Sequence, residues 1–214
     1  EWKRNAYKRA EQRRWYAGET ISLGIGQGYN NFTMLQMATA YATLSSGGLR
    51  FKPHLVREIR DPDQHTTQRI SSDAIEPLAL KPEHVEVVRN AMHGVTVEGT
   101  SAKVFAGASY SSGGKTGTAQ AVGLRAGEKY SSVKADEHKR DHSLYVAFAP
   151  TDNPTIALAV IVENAGWGSG SAAPIARRVF DYWLSGQYPT DEDMAAVRKG
   201  QAMAPLSKPR EAKD

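Results

Sequence analysis

Cysteine is absent from this chain of 214 residues, which excludes disulfides, thiol catalysis and cysteine-ligated zinc. Long apolar runs are absent as well. The longest, Ile156 to Val162, falls far short of the roughly 20 residues that a membrane-spanning helix needs. No apolar segment follows the opening Glu1-Trp2-Lys3-Arg4, so no secretory signal is legible, and with no initiator methionine the chain is expected to be a piece of something longer. A large excess of one charge is also lacking. The formal net charge of +4 fits surface solubility better than a polyanion-binding face. What remains is ordinary globular material, 40% hydrophobic and 23% charged, long enough for one domain with a real core.

Residues 1–18 interleave basic residues with Trp2, Tyr7, Trp15 and Tyr16, but the basic positions form no helical stripe, so nucleic acid is not an expected partner. Thr20 to Gly28 reads as a short extended stretch entering a glycine-rich turn. Its G-x-G-x-G spacing is not the G-x-G-x-x-G of a dinucleotide loop. A helix is predicted after Thr33, with Gln36 completing a capping box and Met34, Met37, Ala38, Tyr41 and Leu44 forming a core-facing stripe up to Gly47 and Gly48. Leu49 to Arg60 reads as an irregular strand, and Asp61-Pro62-Asp63 as a turn. Pro82 opens a second helix with Val85, Val88 and Met92 on one side and Gly94 as its stop. Ser143 to Ala149 and Thr155 to Val162 read as an antiparallel hairpin, the second strand apolar enough for a central position. Ala172 to Leu184 forms a last helix, with Ala172, Ile175, Val179 and Trp183 on one side and Arg177, Arg178 and Asp181 on another. From about Thr190 the composition predicts disorder, so the expected division is 1–189 as domain and 190–214 as tail.

The sharpest local signal is Ser111-Ser112-Gly113-Gly114-Lys115-Thr116-Gly117-Thr118-Ala119-Gln120. A phosphate loop, G-x-x-x-x-G-K-[ST], would share its Gly114-Lys115-Thr116 end. It requires glycine where Ser109 stands, and the stretch from Lys103 to Ser112 makes a poor buried strand, so a nucleotide-binding protein is the weaker reading. The stronger reading is Lys-Thr-Gly, one of three motifs shared by penicillin-binding proteins and serine β-lactamases.

The extended form Gly-Lys-Thr-Gly-Thr-Ala-Gln and its surroundings resemble class B penicillin-binding proteins. The resemblance takes in Ile25-Gly26-Gln27-Gly28, Leu35-Gln36-Met37-Ala38, Ala40-Tyr41-Ala42, Gly47-Gly48, Glu98-Gly99-Thr100-Ser101-Ala102, His142 to Pro150 and Ala172-Ala173-Pro174-Ile175-Ala176. It covers roughly residues 15–185, and Trp15-Tyr16-Ala17-Gly18-Glu19-Thr20 resembles the elongation type, penicillin-binding protein 2. The resemblance implies an α/β transpeptidase fold, an antiparallel sheet flanked by helices and incomplete at its N-terminal side. It also implies Lys-Thr-Gly on an edge strand lining the cleft. Lys115 would supply positive charge and bond the serine of a second motif. Thr116 and Thr118, on one side of the strand, would hold the substrate carboxylate. Gly114 and Gly117 would belong with the two threonines to the substrate-binding set, Gly117 letting another backbone element approach closely, and the Thr118 N–H would serve the oxyanion hole. No cofactor or metal is implied. The implied partners are peptidoglycan stem peptides, β-lactams, the missing N-terminal part of the same domain and cell-wall elongation proteins. The implied location is the periplasmic side of the bacterial inner membrane, with a single-pass anchor outside this chain.

One departure stands out. The family's nucleophile lies in Ser-x-x-Lys and its second motif is Ser-x-Asn, both upstream of Lys-Thr-Gly, and residues 1–114 contain neither. Ser131-Ser132-Val133-Lys134 spells the first pattern, but follows Lys-Thr-Gly in a hydrophilic stretch and reads as coincidence. The nucleophilic serine is therefore expected outside this chain, the chain inactive alone, and the cut domain prone to self-association or dependent on its complement. His138 and His142 have a spacing that could bind metal on a helix, without an evident third ligand. Trp167, in a glycine-rich turn, reads as a packing lid or a substrate contact.

Overall fold

In the computed structural model, which describes residues 1–122, 131, 136–199 and 210–211, the chain divides into two units, Glu1–Thr33 and Met34–Asp214. The first carries three short helices, α1 (Trp2–Ala6), α2 (Ala10–Arg13) and α3 (Ala17–Gly24). The extended stretch expected from Thr20 is thus helical as far as Gly24. The reason is local: a carboxylate oxygen of Glu19 accepts the Tyr16 N–H at 2.8 Å, capping the first turn. One buried cation organises this unit. The Lys3 ammonium is bonded to the Glu19 carboxylate and to the Arg14 carbonyl at 2.6 Å. It also lies 5.6, 5.3 and 5.4 Å from the ring centres of Trp15, Tyr16 and Tyr29. The Tyr29 hydroxyl donates to Glu19 as well, at 2.8 Å.

In the second unit, α4 (Met34–Ser45) ends at Gly47 and Gly48, with φ of +72° and +106°. Gly48 also lies so close to the Leu78 carbonyl that no side chain fits there. The stretch after it, expected as one irregular strand, is broken. β1 (Arg50–Phe51) pairs with β4 (Ala74–Ile75), and β2 (Glu58–Asp61) with β3 (Thr66–Arg69). The Asp61 carboxylate accepts the N–H groups of Asp63 and Gln64 at 2.9 and 3.0 Å, fixing the predicted turn.

Helix α5 (Pro82–Val97) begins at the predicted proline but runs through Gly94, and buries Val85 and Met92 while Val88 remains exposed. After the short α6 (Ala102–Phe105) comes a three-stranded antiparallel sheet in the order β5 (Gly113–Ala119), β6 (His142–Ala149), β7 (Ile156–Val162). The predicted hairpin is β6–β7, but the central, most buried strand is β6, and β7 is outermost among the described residues. An apolar run shows that a strand touches neighbours and cannot say on which side the next strand lies.

Helices lie on both faces of the sheet. Tyr145, Ala147 and Ala149 pack on α6 and on α7 (Ala172–Ser185) through Phe105, Ala173, Ala176 and Phe180. Val146 and Phe148, of opposite parity, are buried on the other face, where α4 lies against β6 and β7.

The face of α7 departs most from expectation. Val179 and Trp183 are exposed, whereas Arg177 and Asp181 are buried. The small Ala172, Ala173 and Ala176 bring the helix close to the sheet. The ion pair beneath them is then well bonded: Arg177 Nε reaches both carboxylate oxygens at 2.8 and 3.0 Å. Its Nη1 donates to the carbonyls of Val104 and Ala106 at 3.0 and 3.2 Å, and the Tyr110 hydroxyl donates to Asp181 at 2.9 Å. Burial, and then the negative charge of Asp181, push the Tyr110 phenol above its ordinary range. Beyond Thr190, where disorder was expected, α8 (Asp191–Arg198) forms, and Arg210–Glu211 pairs with Gln187–Tyr188.

Removing one partner of the buried pair leaves an uncompensated charge. Asp181→Ala is expected to lower unfolding stability by about 3–5 kcal/mol in urea titrations, and the double change Arg177→Met, Asp181→Leu to recover part of that loss. In the first unit, the side-chain bond from Lys3, and then the backbone bond from Tyr16, hold the Glu19 carboxyl down to about 2. A lowered carboxyl stabilises the fold above its unfolded pKa and ceases to do so as pH falls through the folded value. Tryptophan fluorescence is therefore expected to show a Glu19-dependent loosening between about pH 4.5 and 2, absent in Glu19→Gln.

Candidate active-site strand

Strand β5 carries the whole Gly114 to Ala119 motif and pairs only with β6, so its other edge is open as far as the described residues go. An open edge leaves backbone N–H and C=O groups free to pair with an extended peptide. The register sets Lys115 opposite Val146, Thr116 opposite Tyr145, Gly117 opposite Leu144 and Thr118 opposite Ser143. Thr116 and Thr118 therefore share a face, as their spacing predicts, and Lys115 lies on the other. Lys115 is exposed, with its ammonium 2.8 Å from the Thr116 carbonyl.

The glycines of the motif are sites of contact. A side chain on Gly113 would meet the Phe148 ring at 2.7 Å, and one on Gly114 would overlap the Tyr145 phenol, 2.5 Å from Cζ. The two rings lean over the start of β5 from opposite faces of β6. Tyr145 is fully buried, and burial, offset in part by its bond to Ser101, pushes its phenol up to about 12. At the far end another backbone does approach Gly117, as its lack of a side chain suggests. It belongs to Gly168, where a Cβ would lie 2.6 Å from the Gly117 carbonyl oxygen. The Ser143 hydroxyl anchors that loop, donating to the Trp167 carbonyl at 3.0 Å and accepting the Ala172 N–H at 3.1 Å.

Trp167 itself is 76% exposed, so it is not a packed lid. His142 Nδ1 accepts the Asn164 N–H at 3.0 Å and is thereby committed to the fold. Among the described residues, no group of three or more His, Cys, Asp or Glu is placed to hold a metal. The Ser131-x-x-Lys134 pattern lies outside the described residues except for Ser131 itself. A second occurrence, Ser112-Gly113-Gly114-Lys115, escaped the sequence reading. It runs into β5 with Ser112 buried and opens no helix, so it offers no exposed nucleophile.

Two further residues were missed. Thr100 Oγ1 lies 3.2 Å from Thr116 Oγ1, and Ser101 Oγ lies 2.8 Å from the Tyr145 hydroxyl. Their segment resembles the family's, but nothing in its spacing says that it lies beside Lys-Thr-Gly.

An open-edged Lys-Thr-Gly-Thr strand, backed by a helix-covered antiparallel sheet, is the arrangement that the resemblance to penicillin-binding proteins implies. This chain belongs to the penicillin-binding protein transpeptidase family, whose penicillin binding protein transpeptidase domain matches residues 5–181. It is 40% identical over 196 residues to the peptidoglycan D,D-transpeptidase MrdA of Haemophilus influenzae, covering 90% of this chain and 29% of that protein. With MrdA of Escherichia coli K12 it shares 36% over 193 residues, covering 89% and 30%. The chain thus spans less than a third of the length of these relatives. Among solved structures it is similar to Pseudomonas aeruginosa PBP2 in complex with WCK 5153, at 37% identity and a TM-score of 0.66, covering 86% of this chain and 37% of that one. It is also similar to an imipenem acyl-enzyme complex of penicillin-binding protein A from Mycobacterium tuberculosis, at 28% identity and a TM-score of 0.59, covering 77% and 33%. The fold is α/β, of the transpeptidase type, as the sequence implied.

Gly114→Ala forces the Tyr145 ring off the strand. It is expected to cost about 1–3 kcal/mol in chemical denaturation, as overpacking of a filled core does. Gly117→Ala, where the nearest side-chain atom is Leu144 Cβ at 3.1 Å, is expected to cost less.

Proposed function

We propose that this chain, over residues 1–189, is the C-terminal portion of the transpeptidase domain of a peptidoglycan D,D-transpeptidase of the penicillin-binding protein 2 type. The observation that carries this reading is the Gly-Lys-Thr-Gly-Thr-Ala sequence on β5, whose second edge is unpaired among the described residues. On this reading Lys115 supplies fixed positive charge at the cleft and a hydrogen bond to the serine of the second motif. Thr116 and Thr118 take the terminal carboxylate of the donor stem peptide side by side. The Thr118 N–H, on the open-edged strand, is one donor to the oxyanion, a contribution of about 3–4 kcal/mol to the transition state. Gly114 and Gly117 keep the strand thin between its packed neighbours.

The serine that attacks belongs to a preceding part of the polypeptide. Its hydroxyl adds to the carbonyl of the donor D-Ala-D-Ala bond and the terminal D-Ala departs with a proton. An amine from a neighbouring strand then takes the acyl group and frees the serine. A β-lactam imitates the donor and leaves a stable acyl-enzyme, which accords with the acyl-enzyme state of the M. tuberculosis relative. Another similar structure is of a peptidoglycan synthase complex, which supports cell-wall proteins as partners. No helix among the described residues is long and apolar enough to cross a membrane, and the proposed location is the periplasmic side of the inner membrane, with a single-pass anchor outside this chain.

Intact-mass spectrometry after incubation with excess penicillin tests the reading. The chain alone is expected to take no adduct, and the complete polypeptide to take one penicilloyl group. Lys115→Ala in the complete polypeptide is expected to slow acylation by about a hundredfold or more, the scale of losing one pre-organised electrostatic group. A stable one-to-one adduct on the chain alone would place the nucleophile within it, with Ser131 and Ser112 the first residues to map. A complete polypeptide that takes no penicillin would leave a non-catalytic module of the same fold.

A further inference from the structure

Helix α5 ends in a turn wound tightly back on itself. The N–H groups of Glu98 and Gly99 both reach the Gly94 carbonyl at 2.9 Å, and that of Ser101 reaches the Val95 carbonyl at 3.1 Å. Gly99 is pressed so close to Val95 that a Cβ would lie 2.7 Å from its Cα. Ser101, fully buried, then locks the turn to the sheet: its hydroxyl donates to the Val95 carbonyl at 3.1 Å and pairs with the Tyr145 hydroxyl at 2.8 Å. Tyr145 stands opposite Thr116 in the β5–β6 register. The residue between Gly99 and Ser101 is therefore held in step with the residue opposite Tyr145. That residue is Thr100, exposed, with its hydroxyl 3.2 Å from that of Thr116.

We propose that Thr100 is a positioning residue that fixes which way the Thr116 hydroxyl donates. The proposal rests on the transpeptidase reading, in which Thr116 binds a carboxylate. A hydroxyl has one proton and can accept two bonds, whereas a carboxylate only accepts. If Thr116 gave its proton to Thr100, none would remain for the ligand. With Thr100 donating, Thr116 accepts on that side and its own proton is left for the carboxylate, next to the hydroxyl of Thr118. The β-branched threonine side chain is stiff at χ1, which holds the Thr100 oxygen within reach of Thr116, where its hydroxyl can turn to donate.

The test uses the complete polypeptide and the rate of acylation by a fluorescent penicillin. Thr100→Val keeps shape and removes the hydroxyl, and is expected to slow acylation about tenfold, the scale of one hydrogen bond. Thr100→Ser, which restores the donor, is expected to stay within about twofold of the unmodified protein. In a Thr116→Val background, Thr100→Val is expected to add no further loss, because it acts through the hydroxyl already removed. Thr100→Ala provides the same comparison should the valine disturb the turn, with melting curves showing which variant is folded. Acylation of Thr100→Val and Thr100→Ala at the unmodified rate, or losses that multiply with Thr116→Val, would overturn the proposal while leaving the transpeptidase reading intact. An unmodified protein that takes no penicillin would overturn that reading itself.

Discussion

Two side chains from the central strand, Tyr145 and Phe148, need space that only glycine leaves, and Gly113 and Gly114 leave it. Phe148 closes over one face of the sheet and Tyr145 over the other, so the first residues of the Lys-Thr-Gly strand are gripped from both sides by the most buried part of the molecule. Everything beyond Gly114 inherits that grip. Lys115, Thr116 and Thr118 take their directions from strand alternation, and alternation has meaning only once the strand's start is fixed. On the proposed reading, the edge offered to a ligand is unpaired among the described residues while its root belongs to the core.

The same economy recurs on the face covered by α7. Three alanines bring the helix close, and the Arg177–Asp181 pair fills the space with bonds to Tyr110 and to the carbonyls of Val104 and Ala106. These carbonyls lie at the end of α6, so the ion pair also stitches α6 to α7. The turn before α6 carries Thr100 and Ser101. One continuous network therefore runs from α7 through α6 to the side of β5.

Much of this was legible in the sequence where the signal is local. Pro82 set the start of α5, Asp61-Pro62-Asp63 the turn after β2, and the runs Ser143 to Ala149 and Thr155 to Val162 the β6–β7 hairpin. The candidate strand was legible because seven consecutive residues carry it. What escaped depends on partners distant in sequence. Hydrophobic periodicity set Arg177 and Asp181 apart from the apolar side because it scores charge alone, not a charge that meets its opposite and two carbonyls. β7 looked central because apolar strands in fully covered sheets look alike. Thr100 and Ser101 gave no hint of lying beside Thr116 and Tyr145, because only the pairing of α5's last turn with the sheet brings them together. The α3 helix was lost to Thr20 and Ile21, whose strand preference a cap from Glu19 overrides.

The contact between Gly114 and Tyr145 also bears on how such a strand can change over generations. A larger residue at 114 is tolerable only if 145 loses its ring first, and a 145 without its ring leaves Ser101 without its partner. Three positions in three separate segments must then drift together or not at all. A fixed glycine beside the lysine would in that case record the history of a packed ring as much as the demands of a ligand, and counting unchanged positions along the strand would overstate how many of them touch a substrate.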